Sequence, residues 1–203
     1  MPGMQLVLAS NNQGKLGELQ YLFAPLGVQL IAQDTLGVPE SPEPYRTFVE
    51  NALAKARNAA QHTGLPALAD DAGLCVHVFG GLPGVDTAFY ATQFGHPKGD
   101  DHNVSALLEQ MHKHTDRRAA LVSTLVALRS ADDPEPLIAV GRAAGEITRA
   151  RMGDQGFGFD PVLWLPAFGK TFAQLDPAVK NAHSHRGRAA QLMLAMMRER
   201  WFA

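Results

Sequence analysis

Four groups of polar residues in this sequence have the chemistry and the neighbours to act on a ligand. The first, Ser10-Asn11-Asn12-Gln13-Gly14-Lys15, follows the apolar run Leu6-Val7-Leu8-Ala9. It precedes Leu16, Leu19, Leu22, Phe23 and Leu26, which recur at helical spacing until Gly27. That pattern predicts a strand, a tight polar turn and a helix start. The free N–H groups and the positive dipole end of such a start favour anions. Lys15 adds a full charge there, and Asn11 and Asn12 can cap the helix or donate amides to phosphate oxygens. The same residues also suit an ordinary capped connection. The spacing is not that of a P-loop.

The second group is acidic: Glu43 in a proline-rich stretch and the pair Asp70-Asp71 ahead of an apolar run. Their hard oxygens suit Mg²⁺, which takes one or two carboxylates together with substrate phosphates. Glu43 also reads as a solvated loop charge, and the Asp pair as a turn or cap. If the pair lies on a strand, its side chains point to opposite faces, so one carboxylate faces any given site. The third group, Gly156-Phe157-Gly158-Phe159-Asp160-Pro161, can present a flat apolar face to a ring with Asp160 as an acceptor, or simply pack. The fourth, Lys180, His185 and Arg186, supplies donors at the start of the last helical stretch. His183 and His185 lack further ligands nearby, so zinc is not expected. Cys75, between strand-forming residues, reads as a small buried hydrophobe.

The elements that must position these groups follow from pattern. Val28–Ile31 reads as a second strand, and 37–45, with Pro39, Pro42 and Pro44, as an extended loop. Thr47-Phe48-Val49-Glu50 is a capping box opening a long Ala-rich helix that Gly64 and Pro66 stop. Ala67–Val78 predicts a strand, followed by a long loop to Asp101, which can cap a helix carrying Val104, Leu107, Leu108 and Met111. Ala119–Leu128 and Leu137–Val140, around Asp132-Asp133-Pro134, predict an antiparallel hairpin, with 145–147 continuing its second strand. Val162–Trp164 predicts another strand, and His185–Arg200 a helix with Leu192, Met193, Met196 and Met197 on one face. Strands alternating with helices, plus an antiparallel pair, predict an α/β fold with a mixed sheet.

Composition narrows the function classes. The 203 residues, 46% hydrophobic and 19% charged, fit a soluble globular chain. A formal net charge of −2 gives no footprint for non-specific nucleic-acid binding. One cysteine excludes an intrachain disulfide and fits a reducing compartment. No signal peptide or membrane span is expected, so the setting is predicted to be cytoplasmic. From residues alone, this is a phosphate-binding α/β protein using Mg²⁺ on a nucleotide.

Taken in order, Ser10–Lys15, Thr47-Phe48-Val49-Glu50-Asn51-Ala52, Ala69-Asp70-Asp71-Ala72-Gly73-Leu74, Gly156–Pro161 and Ser184-His185-Arg186-Gly187 resemble the inosine/xanthosine triphosphate pyrophosphatases over nearly the whole length. The resemblance implies an elongated mixed β-sheet flanked by helices, with two lobes and a nucleotide-binding cleft between them. It also implies a single pyrophosphatase domain over 1–203 and a homodimer. The implied reaction converts ITP, dITP or XTP to the monophosphate and pyrophosphate with Mg²⁺. By position, Ser10, Asn11, Asn12, Gln13, Gly14 and Lys15 bind the triphosphate. Asp71 is the general base and a metal ligand, and Glu43 a second ligand. Phe157, Gly158, Phe159, Asp160, Lys180, His185 and Arg186 surround the base. Ala72 stands where many members have Ser, so a hydroxyl contact is lost while a backbone contact survives. A donor-rich base pocket suits a 6-oxo group and opposes the 6-amino group of adenine. The alternatives are a septum-inhibitor-like pyrophosphatase acting on pyrimidine or modified nucleotides, and a nucleotide- or RNA-binding regulator without catalysis.

Overall fold

In a computed structural model that describes residues 4–202, seven strands form one mixed sheet. They are β1 (Gln5–Leu8), β2 (Gln29–Ala32), β3 (Ala67–Val76), β4 (Arg118–Leu128), β5 (Leu137–Ile147), β6 (Leu163–Leu165) and β7 (Lys170–Thr171), in the order β2-β1-β3-β4-β5-β6-β7. β1 pairs in parallel with both β2 and β3, while β6 pairs antiparallel with β5 and β7. The neighbours β4 and β5 are joined by 129–136 alone, too short for a parallel crossover, so they form the expected hairpin. The helices are α1 (Gln13–Phe23), α2 (Phe48–Thr63), α3 (Asp100–Met111), α4 (Pro177–His183) and α5 (His185–Arg200).

The chain divides into two compact units. The first comprises Met1–Asp71, Ser123–Gly141 and His185–Ala203. Strand alternation sorts its core into two faces. Leu6, Leu8, Leu68 and Leu125 pack with Leu19 and Phe23 of α1 and Met193 and Met197 of α5. Val7, Ala9, Ala67, Ala69 and Val126 pack with Ala52, Ala56, Ala59 and Ala60 of α2. The alanine run thus lets α2 lie close on the sheet, and each fully buried Leu on the other face contributes about 1.5–3 kcal/mol. The second unit, Ala72–Val122 and Arg142–Ser184, is built on Leu74, Val76, Tyr90, Leu107, Met111, Leu121, Phe159 and Phe172.

The structure departs from the sequence reading at several places: β3 ends at Val76 where the reading ran to Val78, and Cys75 is only partly buried. The loop before α3 holds a 3-10 helix over Gly84–Phe94, where Asn103 of α3 accepts from the Ala91 N–H at 2.8 Å. Asp101 is not the cap of α3: Gly99 takes that position and both Asp100 and Asp101 fall in the first turn. On α5 the buried face runs through Ala189, Ala190, Met193, Leu194 and Met197, which leaves Leu192 exposed. Leu192 lies one residue off the i, i+4 row that meets the sheet.

The β4–β5 connection depends on one carboxylate. Asp133, 4% exposed, accepts from the Arg129 N–H at 2.9 Å, the Arg129 guanidinium at 3.1 Å and the Glu135 N–H at 3.0 Å. The Arg129 guanidinium, chiefly, holds its pKa down to about 2 against the effect of burial. Asp133→Ala leaves those donors unpaired and is expected to cost about 1–3 kcal/mol. A carboxylate with a depressed pKa stabilises the fold fully above its ordinary value of about 4. That contribution is lost as the pH falls toward about 2. Urea unfolding of both proteins across this range checks it: the gap should be full at neutral pH and close on acidification.

Candidate active site

The loop between β1 and α1 is arranged by its own side chains. Asn12 is the N-cap of α1, its Oδ1 accepting from the Lys15 N–H at 3.0 Å, and Ser10 Oγ accepts from the Asn12 N–H at 3.2 Å. Asn11 does not cap. Its Oδ1 accepts from Gln33 at 3.0 Å and its amide donates to Glu40 at 2.8 Å. Gln13 and Gly14 open the helix, and the Lys15 ammonium reaches inward to 3.3 Å from Asp70 Oδ2. Burial pushes the Lys15 pKa down, opposed in part by Asp70.

Asp70 and Asp71 lie on β3 and, as strand geometry requires, face opposite sides. Asp70 is fully buried among the α1 and α5 elements: Oδ1 accepts from Ser123 Oγ at 2.6 Å, and Oδ2 from Arg186 Nε at 3.0 Å. Arg186 in turn reaches Glu18 of α1 at 2.5 Å. Burial alone would raise the Asp70 pKa, but Arg186, Lys15 and the Ser123 hydroxyl outweigh it and hold the carboxylate well below the usual range.

Asp71 faces α2. Its Oδ1 accepts from Lys55 at 3.1 Å, while Oδ2 is buried and has no hydrogen-bond partner among the described residues. Burial pushes its pKa up, against the pull of Lys55 and Lys15. Lys55 also donates to the Asp70 carbonyl at 3.0 Å and pairs with Glu43, so Glu43 and Asp71 meet on one ammonium. Burial works against the Lys55 charge, yet Asp71 and Glu43 together raise its pKa. Among the described residues no group of three or more His, Cys, Asp or Glu is placed to hold a metal. A hard cation sharing one or two carboxylates with substrate phosphates needs no such group. The orphaned oxygen of Asp71, with Glu43 close by, fits that donor set.

Lys55 is the site residue that sequence reading missed. It sits between Asn51 and Asn58 at i, i+4 and i+7 spacing, a polar stripe on an otherwise Ala-rich helix. Asn51, buried, accepts from the Tyr45 N–H at 3.0 Å and donates to the Tyr45 carbonyl at 3.1 Å. Asn58 donates to the Pro39 carbonyl at 2.8 Å. The stripe therefore fastens the proline-rich loop at both ends and holds Glu43 between them. Thr47 caps α2, but Glu50 accepts from its hydroxyl at 2.5 Å where the capping box predicts the backbone N–H.

In the second unit, Gly156 and Gly158 take positive φ values of 77° and 61° and separate the two phenylalanines. Phe159 is buried in the core, so it offers no face to a ligand, whereas Phe157 is half-buried. Lys180 lies 4.9 Å from the Phe157 ring centre, a cation–π contact, and bonds Asp160 Oδ2 at 2.6 Å. Asp160 also accepts from the Phe157 N–H at 2.9 Å, and Asp100 from the Gly158 N–H at 2.9 Å. A Cβ at Gly156 would overlap Asp160 Oδ2, which is why glycine stands there. Asp160, Phe157 and Lys180 are thus brought together. Ala72 follows Asp71 on β3, and His185 and Arg186 are buried at the start of α5, in the first unit. The Arg186 guanidinium is held by Asp70 and Glu18.

The sequence profile of the Ham1 family matches residues 6–196. A protein of Albidiferax ferrireducens named dITP/XTP pyrophosphatase is 72% identical over 198 residues, covering 98% of this chain and 100% of that protein. The structure of a HAM1 protein from Coxiella burnetii superimposes with a TM-score of 0.87 at 41% identity, covering 96% of this chain and 99% of that one. A nucleoside-triphosphatase / dITP/XTP pyrophosphatase from Mycobacterium abscessus gives a TM-score of 0.73 at 37% identity, covering 94% and 99%. With a family profile spanning nearly all of its length and relatives of this identity, the chain belongs to the Ham1 family.

Proposed function

We propose that this protein hydrolyses the non-standard purine nucleoside triphosphates ITP, dITP and XTP to the monophosphate and pyrophosphate. The observation that carries the reading is Asp71: a buried carboxylate with one oxygen held by Lys55 and the other unpaired among the described residues. Its family setting, among relatives named dITP/XTP pyrophosphatase, supports the substrate class.

Ser10 to Lys15 bind the phosphates, with the N–H groups of α1 and the Lys15 ammonium as donors. Asp71 and Glu43 are the groups that would hold Mg²⁺, which when bound neutralises phosphate charge and lowers the pKa of a coordinated water. A raised pKa suits Asp71 to accept a proton. As the water oxygen bonds to the α-phosphorus, the bond to the bridging oxygen breaks, the proton passes to Asp71 and pyrophosphate leaves. Lys15 and Lys55 stabilise the charge gathering on the departing oxygens. Phe157 stacks on the purine. Asp160 accepts from it, and Lys180, His185 and Arg186 are the donors to its 6-oxo side. An adenine amino group would leave such donors unpaired, at about 1–3 kcal/mol each. As part of the same reading, the whole chain acts as one domain in a cytoplasmic homodimer on free nucleotides. A formal net charge of −2 supports the absence of nucleic acid from its substrates. Among the described residues no helix is long and apolar enough to cross a membrane.

The direct test is turnover of ITP, XTP, ATP, TTP and UTP with Mg²⁺, with separation of the products. Purine 6-oxo substrates should lead, and each cleavage should yield pyrophosphate. Faster turnover of TTP or UTP gives the septum-inhibitor-like alternative, and binding without cleavage gives a regulator. Asp71→Asn should keep the circular dichroism of the parent and lose at least ~10²-fold in kcat, the usual effect of removing a general base. Near-parental turnover would remove Asp71 from this role. Lys15→Ala should weaken ITP and XTP by similar factors, because both carry the same triphosphate. A loss confined to one base, read as kcat/KM, would move Lys15 from the phosphates to the purine.

A further inference from the structure

Gly141 of β5 lies where the strand backbone meets the first turn of α5. A Cβ there would overlap the His185 carbonyl oxygen and the Ala189 nitrogen, the two ends of one helical hydrogen bond. No side chain, not even a methyl group, separates strand from helix at this point. The helix side is stripped in the same way, with Gly187, Ala189 and Ala190 all buried. The turn seated on Gly141 carries His185 and Arg186, which are 5% and 2% exposed. Arg186 extends from it to Asp70 and Glu18, and Asp70 in turn holds Lys15.

We infer that Gly141 is a positioning residue for substrate selection and turnover. Its missing side chain sets the depth at which the His185–Arg186 turn sits on the sheet, and so sets Arg186 on Asp70. This rests on the pyrophosphatase reading given above. A methyl group at 141 must lift the turn or displace the strand. Site residues misplaced by about 1 Å can cost ~10²-fold in rate.

The test is a cycle of Gly141→Ala, Arg186→Ala and the double variant, with kcat/KM measured for ITP and ATP and the fold followed by circular dichroism. Gly141→Ala should lower kcat/KM for ITP by about tenfold or more and narrow the ITP-to-ATP ratio. In the Arg186→Ala background the same change should add less than about twofold, because the group it positions is already gone. A full, additive loss in that background, or an unchanged ITP-to-ATP ratio in the single variant, overturns the inference. Hydrogen exchange of the parent protein tests it independently of whether Gly141→Ala folds. Amides 189 and 190, the first that bond back to the seated turn, should be protected to the level of the sheet core without nucleotide. Rapid exchange there until ITP and Mg²⁺ are added would also overturn it. If the parent protein does not cleave ITP at all, the pyrophosphatase reading fails, while the exchange result still reports whether the turn is seated.

Discussion

The Asp70 carboxylate has no access to water, and the unit around it is arranged to make that tolerable. An ionised carboxylate removed from water without partners carries a penalty of several kcal/mol. Here it receives a hydroxyl from β4, a guanidinium from α5 and an ammonium from α1. Two cations around one anion would be unbalanced, and Glu18 supplies the missing negative charge on Arg186. Lys15, Arg186, Asp70 and Glu18 therefore form a neutral set. Breaking a buried set of this kind by removing one partner typically costs about 3–5 kcal/mol. The same bonds fix the N-terminal turns of α1 and α5 relative to β3, so the Ser10–Lys15 loop is positioned by a charge balance made for burial.

The next residue along the strand has the opposite task. Strand geometry turns Asp71 to the α2 face, where Lys55 satisfies only one of its oxygens. One dipeptide thus supplies a carboxylate with both oxygens bonded and one with an oxygen left without a partner among the described residues, separated by nothing more than the side-chain alternation of a strand. Lys55 bridges the two, since it also binds the Asp70 carbonyl. The Asn51–Lys55–Asn58 stripe then draws in a proline-rich loop that has no regular hydrogen bonding of its own, and with it Glu43.

Much of this was legible in the sequence because it depends on local rules. The strand–turn–helix at Ser10–Lys15, the cap at Thr47, the stop at Gly64 and the opposed Asp pair follow from periodicity and side-chain hydrogen bonding alone. Lys55 was hidden because the alanines around it advertise packing; its signal was the spacing to Asn51 and Asn58. The partner of Arg186 was not legible, since 116 residues separate it from Asp70. Composition likewise does not tell that Phe159 enters the core while Phe157 stays half-buried, because positive φ at two glycines divides them. Gly141 looks like any small strand residue until the helix backbone lying against it is seen.

Lys15, Lys55 and Arg186 stand against Asp70, Asp71, Glu18 and Glu43, three cations against four carboxylates. With every group ionised the cluster is formally negative by one. The partial positive charge at the start of α1, equivalent to about +0.5, does not reverse the sign. A triphosphate arriving with several negative charges would meet a site whose lysines are already engaged by carboxylates. Asp71 and Glu43 are the carboxylates that would hold a divalent cation, whose two charges would turn the balance positive and leave Lys55 as a donor to a phosphate oxygen. The charges of this unit would thus favour the proposed Mg²⁺, with the Asp71 oxygen that has no partner among the described residues as a donor to it.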